Sequence, residues 1–353
     1  MFESETFENI LSRLLSGADD IDKREGSVIY DSLASAAVEF TNAYIAIDKV
    51  LDNTFAFTAP RKFLIERAKE RGLTPYPAVK SVVELEIDPS DIVLNSGDRF
   101  ISGENTVFSV TERISGNRYK AECLEAGETG NIRGGSLIPV NYINGLTEVR
   151  VVSLLIPGSD EEDTESFRKR YSESFDSQAF GGNIADYKEK IRGISGVGGL
   201  KVYPAFAGGG TVGIKIIGSD YGAASEELIN RVKEKIDPAE YSGSGYGLAP
   251  VGHKVTVESA ETETVTINVS VKIENAGNAE NSVREKIADY IKALNKEWED
   301  NNDGLCVSFA AVTADIMSIS GMKDCTVLIN GEQKSYTCAK DKIAKGVISY
   351  EES

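Results

Sequence analysis

Apolar residues in the first quarter of the chain recur at helical intervals. From Ile29 they run Ile29, Leu33, Ala37, Phe40, Tyr44, Ile47 and Leu51, in steps of 4, 4, 3, 4, 3 and 4. Such steps lay one stripe along a helix for about three heptads. The opposite face carries Asp31, Glu39, Asn42 and Asp48. Two coverings suit a stripe this long: the rest of its own domain, or a helix of another chain in a bundle. A shorter helix is predicted from Pro60, a residue suited to the first helical position, through Leu64 and Ala68, stopped by Gly72.

Pro75 and Pro77 mark a boundary, and the pattern changes after them. Val82, Val83, Leu85 and Ile87, then Phe100 and Ile101, then Val107, Phe108 and Val110 form short apolar runs. Gly97-Asp98, Gly103, Gly116-Asn117, Gly127, Gly130-Asn131 and Gly134-Gly135 punctuate them. Short runs with turn signals every ten or so residues predict a small all-β domain. Glycine and asparagine are the residues that tight turns with positive φ require.

At Pro157-Gly158 the chain turns acidic, through Ser159-Asp-Glu-Glu-Asp-Thr-Glu165, ahead of Phe167, Tyr171 and Phe175 at helical spacing. Carboxylates in the first turn of an amphipathic helix account for this run. A calcium loop would need a glycine and a ligand alternation that are missing. Further on, Asn183 caps a helix through Ile184, Tyr187 and Ile191 that ends at Gly193. Strands 200–203 and 211–217, a helix through Leu228, Val232 and Ile236, strands 253–257 and 264–273, and a helix from Val283 to Trp298 follow. One echo stands out. Ala185-Asp186 precedes Ile194-Ser-Gly-Val197, and Ala314-Asp315 precedes Ile319-Ser-Gly-Met322, each leading into a strand. Either two related α+β units occupy 160–250 and 253–340, or a short motif recurs by chance. The fold class is therefore α+β multidomain: an N-terminal helical region (1–76), a small all-β domain (77–156) and two mixed α+β units (157–252 and 253–353).

Charge and composition narrow the chemistry. Lys and Arg number 38 against 56 Asp and Glu, a formal charge of −18 over 353 residues. No basic cluster offers a nucleic-acid groove. The single histidine, His253, leaves no histidine-rich metal set and no nucleophile or carboxylate placed beside it. Gly208, Gly210 and Gly213 match a dinucleotide fingerprint in spacing, but Thr211–Ile217 alternates as a strand where that motif needs a helix, so a hairpin turn is predicted. Cys123, Cys306, Cys325 and Cys338 contain no C-x-x-C. They read as free, buried thiols of a reducing compartment, with a Cys325–Cys338 bridge between neighbouring strands as the other option. The acidic N-terminus does not read as a signal peptide, and no run of ~18 apolar residues spans a membrane. Abundant carboxylates leave an unrecognised hydrolase open, yet no pair singles itself out. These features predict an assembly or binding protein without enzymatic activity, cofactor or metal.

Several segments in order carry a family resemblance. They are Asp22-Lys-Arg-Glu-Gly-Ser27 before the long helix, Thr54-Phe-Ala-Phe-Thr-Ala59 and Gly127-Glu-Thr-Gly-Asn131. Then come Gly158-Ser-Asp-Glu-Glu-Asp163 with Phe167-Arg-Lys-Arg170, Gly181-Gly-Asn183, Gly193-Ile-Ser-Gly-Val197, Ser219-Asp220 and Ala249-Pro-Val251. Over about residues 20–275 this order resembles the baseplate J-like proteins of contractile-tailed phages, PBSX-like prophages and tailocins. The resemblance implies a baseplate wedge subunit, assembled in the bacterial host cytoplasm and carried in the virion or tailocin particle. Its partners would be a second copy of itself, a smaller tail protein I-like wedge protein, sheath-initiator and hub proteins and tail fibres, with neither nucleic acid nor membrane. Six wedges would ring the hub and spike. The stripe Ile29, Leu33, Ala37, Phe40, Tyr44, Ile47 and Leu51 would face a core helix bundle, with Asp22, Arg24 and Glu25 fixing its start. The β domain would be a wing, and 253–353 the contact between wedges. Residues past about 300 do not align with the family securely. The alternative is a cell-wall or carbohydrate-binding tail protein built on the β domain, whose few aromatics are Phe100, Phe108, Tyr119 and Tyr142.

Overall fold

The computed structural model describes residues 2–17, 22–103, 105–176, 181–273 and 279–352. The chain divides into two compact units, one of Met1–Pro75 with Glu162–Asp176, the other of Tyr76–Glu161 with Ser177–Ser353. The first holds helices α1 (Phe7–Ser16), α2 (Val28–Thr54) and α3 (Arg61–Lys69) and a fourth helix from further along the chain.

The second unit opens with a closed barrel. Its strands are β1 (Lys80–Asp88), β2 (Arg99–Ile101), β3 (Val107–Ser115), β4 (Arg118–Ala126), β5 (Ser136–Pro139) and β6 (Glu148–Ile156). They close in the order β1-β4-β3-β2-β5-β6. Alternation decides which side chains go in: Val83, Leu85 and Ile87 of β1 are buried, with Phe100, Phe108, Val110, Tyr119 and Val149 from the other strands. The Tyr119 hydroxyl accepts from the buried Leu94 N–H at 3.2 Å, so a polar tip inside the core keeps a partner. Gly116-Asn117 turns β3 into β4, as expected of that pair.

The Gly127–Asn131 segment has a packing role. A Cβ on Gly130 would lie 2.2 Å from Ser81 Oγ, and one on Gly158 would lie 2.3 Å from the Gly127 carbonyl oxygen. Only glycine fits at either place. Asn131 then bonds both backbone groups of Gly158, its amide donating at 2.9 Å and its carbonyl accepting at 2.7 Å. Two segments read separately in the sequence thus form one clamp where the chain leaves the barrel.

After the fourth helix, α4 (Thr164–Asp176), the chain forms α5 (Ile184–Arg192), β7 (Val197–Pro204), β8 (Thr211–Gly218), α6 (Glu226–Ile236) and β9 (Lys254–Ser259). Asn183 caps α5, accepting from Asp186 N–H at 2.8 Å. The glycines at 208–210 turn an antiparallel hairpin, β7 to β8, as the strand-like alternation predicts. Helix α6 returns the chain so that β9 lies parallel to β8, and Leu228, Val232 and Ile236 bury one face of α6 against Leu200, Ile214 and Ile216.

The remaining elements are β10 (Glu261–Ile273), α7 (Ala279–Lys296), β11 (Cys306–Val307), α8 (Phe309–Met317), β12 (Met322–Ile329), β13 (Tyr336–Thr337) and β14 (Lys342–Glu352). Strand β10 is central, antiparallel to β12 and parallel to β14. The sequence echo therefore has a structural counterpart. In both units a helix and a glycine with positive φ (Gly196, Gly321) lead into an edge strand, which pairs antiparallel with a central strand whose other neighbour is parallel. The chain order differs, however. The central strand follows the edge strand in the first unit and precedes both helices in the second, so a tandem repeat of one chain order does not describe them. Ile217, Ala260, Trp298, Leu305 and Ile343 form a shared core between the two α+β units. Beside it, the buried Lys201 ammonium meets Asp341 at 2.9 Å and the Asn301 carbonyl at 2.6 Å. Glu299 accepts from Arg192 at 2.8 Å and from Lys188 at 3.0 Å.

Candidate assembly interface

The N-terminal unit is assembled from local signals. Thr6 starts α1 by accepting from Asn9 N–H at 3.3 Å, and Ser27 starts α2 by accepting from Tyr30 N–H at 3.3 Å. Asp22 and Arg24, expected to fix the start of α2, pair with each other instead, at 2.7 Å. Their hydrogen bonds hold the Asp22 carboxyl below and the Arg24 guanidinium above its usual range. Glu25 is exposed, and the cap is Ser27, because a hydroxyl one residue before the helix reaches its free N–H groups.

Sequence periodicity did not single out α1, and α1 decides what remains open on α2. Ile10 and Leu11 of α1 bury Ala37, with Phe7, Leu14, Leu15, Tyr30, Leu33, Ala34 and Tyr44 around them. The predicted stripe is split by this contact. Ala37 is buried, Ile29, Leu33, Tyr44 and Leu51 are half-buried, and Phe40 and Ile47 are exposed at 51% and 44%. At 100° per residue, Ile29, Leu33, Ala36, Phe40, Ala43, Ile47 and Val50 form a regular seam of alternating 4 and 3 steps. That seam lies beside α1, and Val50 within it is 62% exposed. Ala37 and Tyr44 of the predicted stripe lie on the flank that α1 covers, one residue beyond this seam.

Helix α4 completes the unit by packing on α3, with Phe167 and Tyr171 against Ala59, Leu64 and Ala68. Its arginines close backbone carbonyls that no helix satisfies. Arg168 donates to the carbonyls of Ala56 and Ala59, and Arg170 to that of Thr74, at 2.6 Å, while pairing with Glu162. Arg71 lies 3.9 Å over the Phe175 ring. The acidic run is used up locally: Asp163 accepts from Glu165 and Ser166 N–H groups, which makes it the cap of α4. The turn after α2 leaves Phe55 and Phe57 at 60% and 78% exposure. With Val28, Val38 and Ile45 they make this unit rich in uncovered apolar surface.

The other candidates for chemistry have structural work. His253 Nδ1 lies 2.8 Å from the Tyr187 hydroxyl, ring stacked on ring, and burial pushes that phenol up to about 12. Burial works against the Asp237 charge. Lys233 and Ser242, with the N–H groups of Val255 and Gly243, outweigh it and bring the carboxyl down to about 2. All four cysteines are free; Cys123 and Cys338 are buried, and Cys306 is exposed. Burial pushes the Cys338 thiol up to about 11. Among the described residues no group of three His, Cys, Asp or Glu side chains could hold a metal ion, and no helix is long and apolar enough to cross a membrane.

A family model described as the baseplate J-like central domain matches residues 179–259, which span α5 to β9. Over 307 residues the chain is 38% identical to the phage-like element PBSX protein XkdT of Bacillus subtilis (strain 168), covering 85% of each chain. It is 39% identical over 306 residues to YqbT of the same strain, an uncharacterised protein, again covering 85% of each. The baseplate protein gp47 of Escherichia phage Mu is 26% identical over 170 residues, 45% of this chain and 47% of that protein. The chain belongs to the baseplate J-like family of phage and prophage baseplate proteins. A more distant likeness is to the cryo-EM structure of the anti-feeding prophage baseplate, with a TM-score of 0.41 and 8% identity over 99% of this chain and 90% of that one.

Proposed function

We propose that this chain is a structural wedge component of a contractile tail or related injection particle, without catalytic turnover. Two copies would join one smaller tail protein, and six such wedges would ring the hub and spike, with sheath-initiator proteins and tail fibres attached. The observation that supports this reading is the apolar seam of α2, which α1 leaves half covered. A 27-residue helix with that much uncovered apolar surface fits a place in an intermolecular bundle. In this reading the four segments divide the labour: 1–76 forms the bundle, 77–156 is a wing, 157–252 is the body, and 253–353 meets the neighbouring wedge. The acidic surface would face basic partners and resist premature self-association. Opening of the ring on receptor engagement would be a population shift toward better contacts in the open state.

The carbohydrate-binding alternative loses ground in the barrel. Phe100, Phe108 and Tyr119 are buried inside it, leaving only Tyr142 of the four aromatics exposed.

Co-expression with a tail protein I-like partner tests the wedge. The expected product is a stable 2:1 complex, with the isolated chain monomeric or weakly dimeric. Phe40→Asp should abolish the complex while leaving the circular dichroism of the isolated chain unchanged, because it puts an unpaired charge into the seam. A folded Phe40→Asp chain that still assembles would overturn the bundle assignment.

A further inference from the structure

We infer that the outer face of the barrel formed by β3, β2 and β5 docks a different protein of the particle, one that presents a carboxylate among apolar side chains. The inference gives the wing a partner, and it rests on the reading of this chain as a particle component.

Strand register defines the face. Phe100, Phe108 and Leu137 point into the barrel core, so their neighbours along each strand point out. Arg99 then stands between Ser109 on β3 and Val140 just past β5, whose N–H bonds the Arg99 carbonyl at 2.9 Å. Ile101 stands between Val107 and Ile138. Arg99 is exposed, and Ile138 and Val140 are exposed at 65% and 51%.

The other side of the barrel, around β1, is built differently. Its outward residues are charged and already paired: Glu84 meets Arg118 at 2.9 Å, Glu86 meets Arg150 at 2.6 Å, and Lys80 meets Glu122 at 3.0 Å. Arg99 has no side-chain partner among the described residues, and neither residue directly opposite it is an acid. Exposed aliphatic side chains around one arginine, with no lysine or acid among them, match the centre of a protein interface.

The charge decides what covers this face. A guanidinium is a planar fork matched to a carboxylate, and the pair strengthens when apolar side chains exclude water from it. Under a purely apolar cover Arg99 would be a desolvated charge without a partner, which is costly. A two-fold contact of the face with itself would bring two cations together and no anion. A carboxylate with an apolar rim, on a different protein, meets both conditions.

The test uses Arg99→Lys, which keeps the charge and offers an amine that a water-soluble carbodiimide joins to a carboxyl in contact with it. Tail particles from the cells that encode the chain are treated and digested, and the peptides are sequenced by mass spectrometry. The expected product is a cross-link from position 99 to an aspartate or glutamate of a different particle protein. Wild-type particles should lack it, because a guanidinium does not react. Adding Ile138→Arg, at a surface position that should leave circular dichroism unchanged, should cut the cross-link about tenfold. A cross-link only to this chain, in the same or a second copy, would overturn the proposal. So would no cross-link at position 99 in intact particles, or one that Ile138→Arg leaves undiminished. Particles from which the wild-type chain is absent would overturn the particle-component reading itself, a failure distinct from intact particles without the cross-link.

Discussion

Phe100 and Phe108 face each other across β2 and β3 and are wholly buried, whereas Phe40 on α2 keeps about half of its surface in water. The difference lies in how each region closes. In the barrel every strand has two neighbours, and inward positions alternate, so one chain fills its own core. In the N-terminal unit a 27-residue helix is offered one 10-residue helix as cover. The covered length hides Ala37 and half-buries Leu33, while Phe40, Ile47 and Val50 stay exposed. Phenylalanine has the same transfer preference in both places, so its exposure on α2 is what the proposed bundle would account for.

Truncation breaks this comparison most sharply in the barrel. Phe108→Ala should lower the unfolding free energy by about 3–5 kcal/mol in a denaturant titration, since it removes a ring and leaves a cavity. Next comes the buried carboxylate of the central body. Asp237→Asn should cost about 2 kcal/mol at neutral pH, because a carboxyl brought to about 2 in the fold from 3.8 stores that much in its hydrogen bonds. A lowered pKa stabilises the fold above the unfolded value and loses that contribution as the pH falls. The wild-type chain should therefore weaken between about pH 4 and pH 2, and the Asn variant should weaken less over the same span. The N-terminal unit adds little there, since Glu5–Arg13 and Asp22–Arg24 are exposed pairs. Smallest is Phe40→Ala, expected to shift the midpoint of the isolated chain by under about 0.5 kcal/mol. A loss as large as that of Phe108 would mean the seam is already covered within the chain.

Much of this fold is legible from the sequence because its signals are local. Asn183, Gly116-Asn117 and the alternation at 211–217 each act through neighbours a few residues away, and each produced the element it predicts. Helix α1 escaped notice because its stripe is short and starts in an acidic stretch, and its buried pair, Ile10 and Leu11, shows only against α2. The acidic run before α4 announced a helix, but its packing on α3 depends on contacts about a hundred residues apart. The clamp of Asn131 on Gly158 has the same character. On α2, the helix and its apolar stripe were readable, while which part of that stripe is covered within the chain depended on where α1 lies.

Closure of the barrel also matters for how subunits crowd. A baseplate holds its proteins side by side, and tethered neighbours meet at effective concentrations of ~mM. Under those conditions a free strand edge recruits whatever backbone lies next to it. Six strands joined end to end expose no such edge, so this domain can lie against its neighbours without polymerising with them.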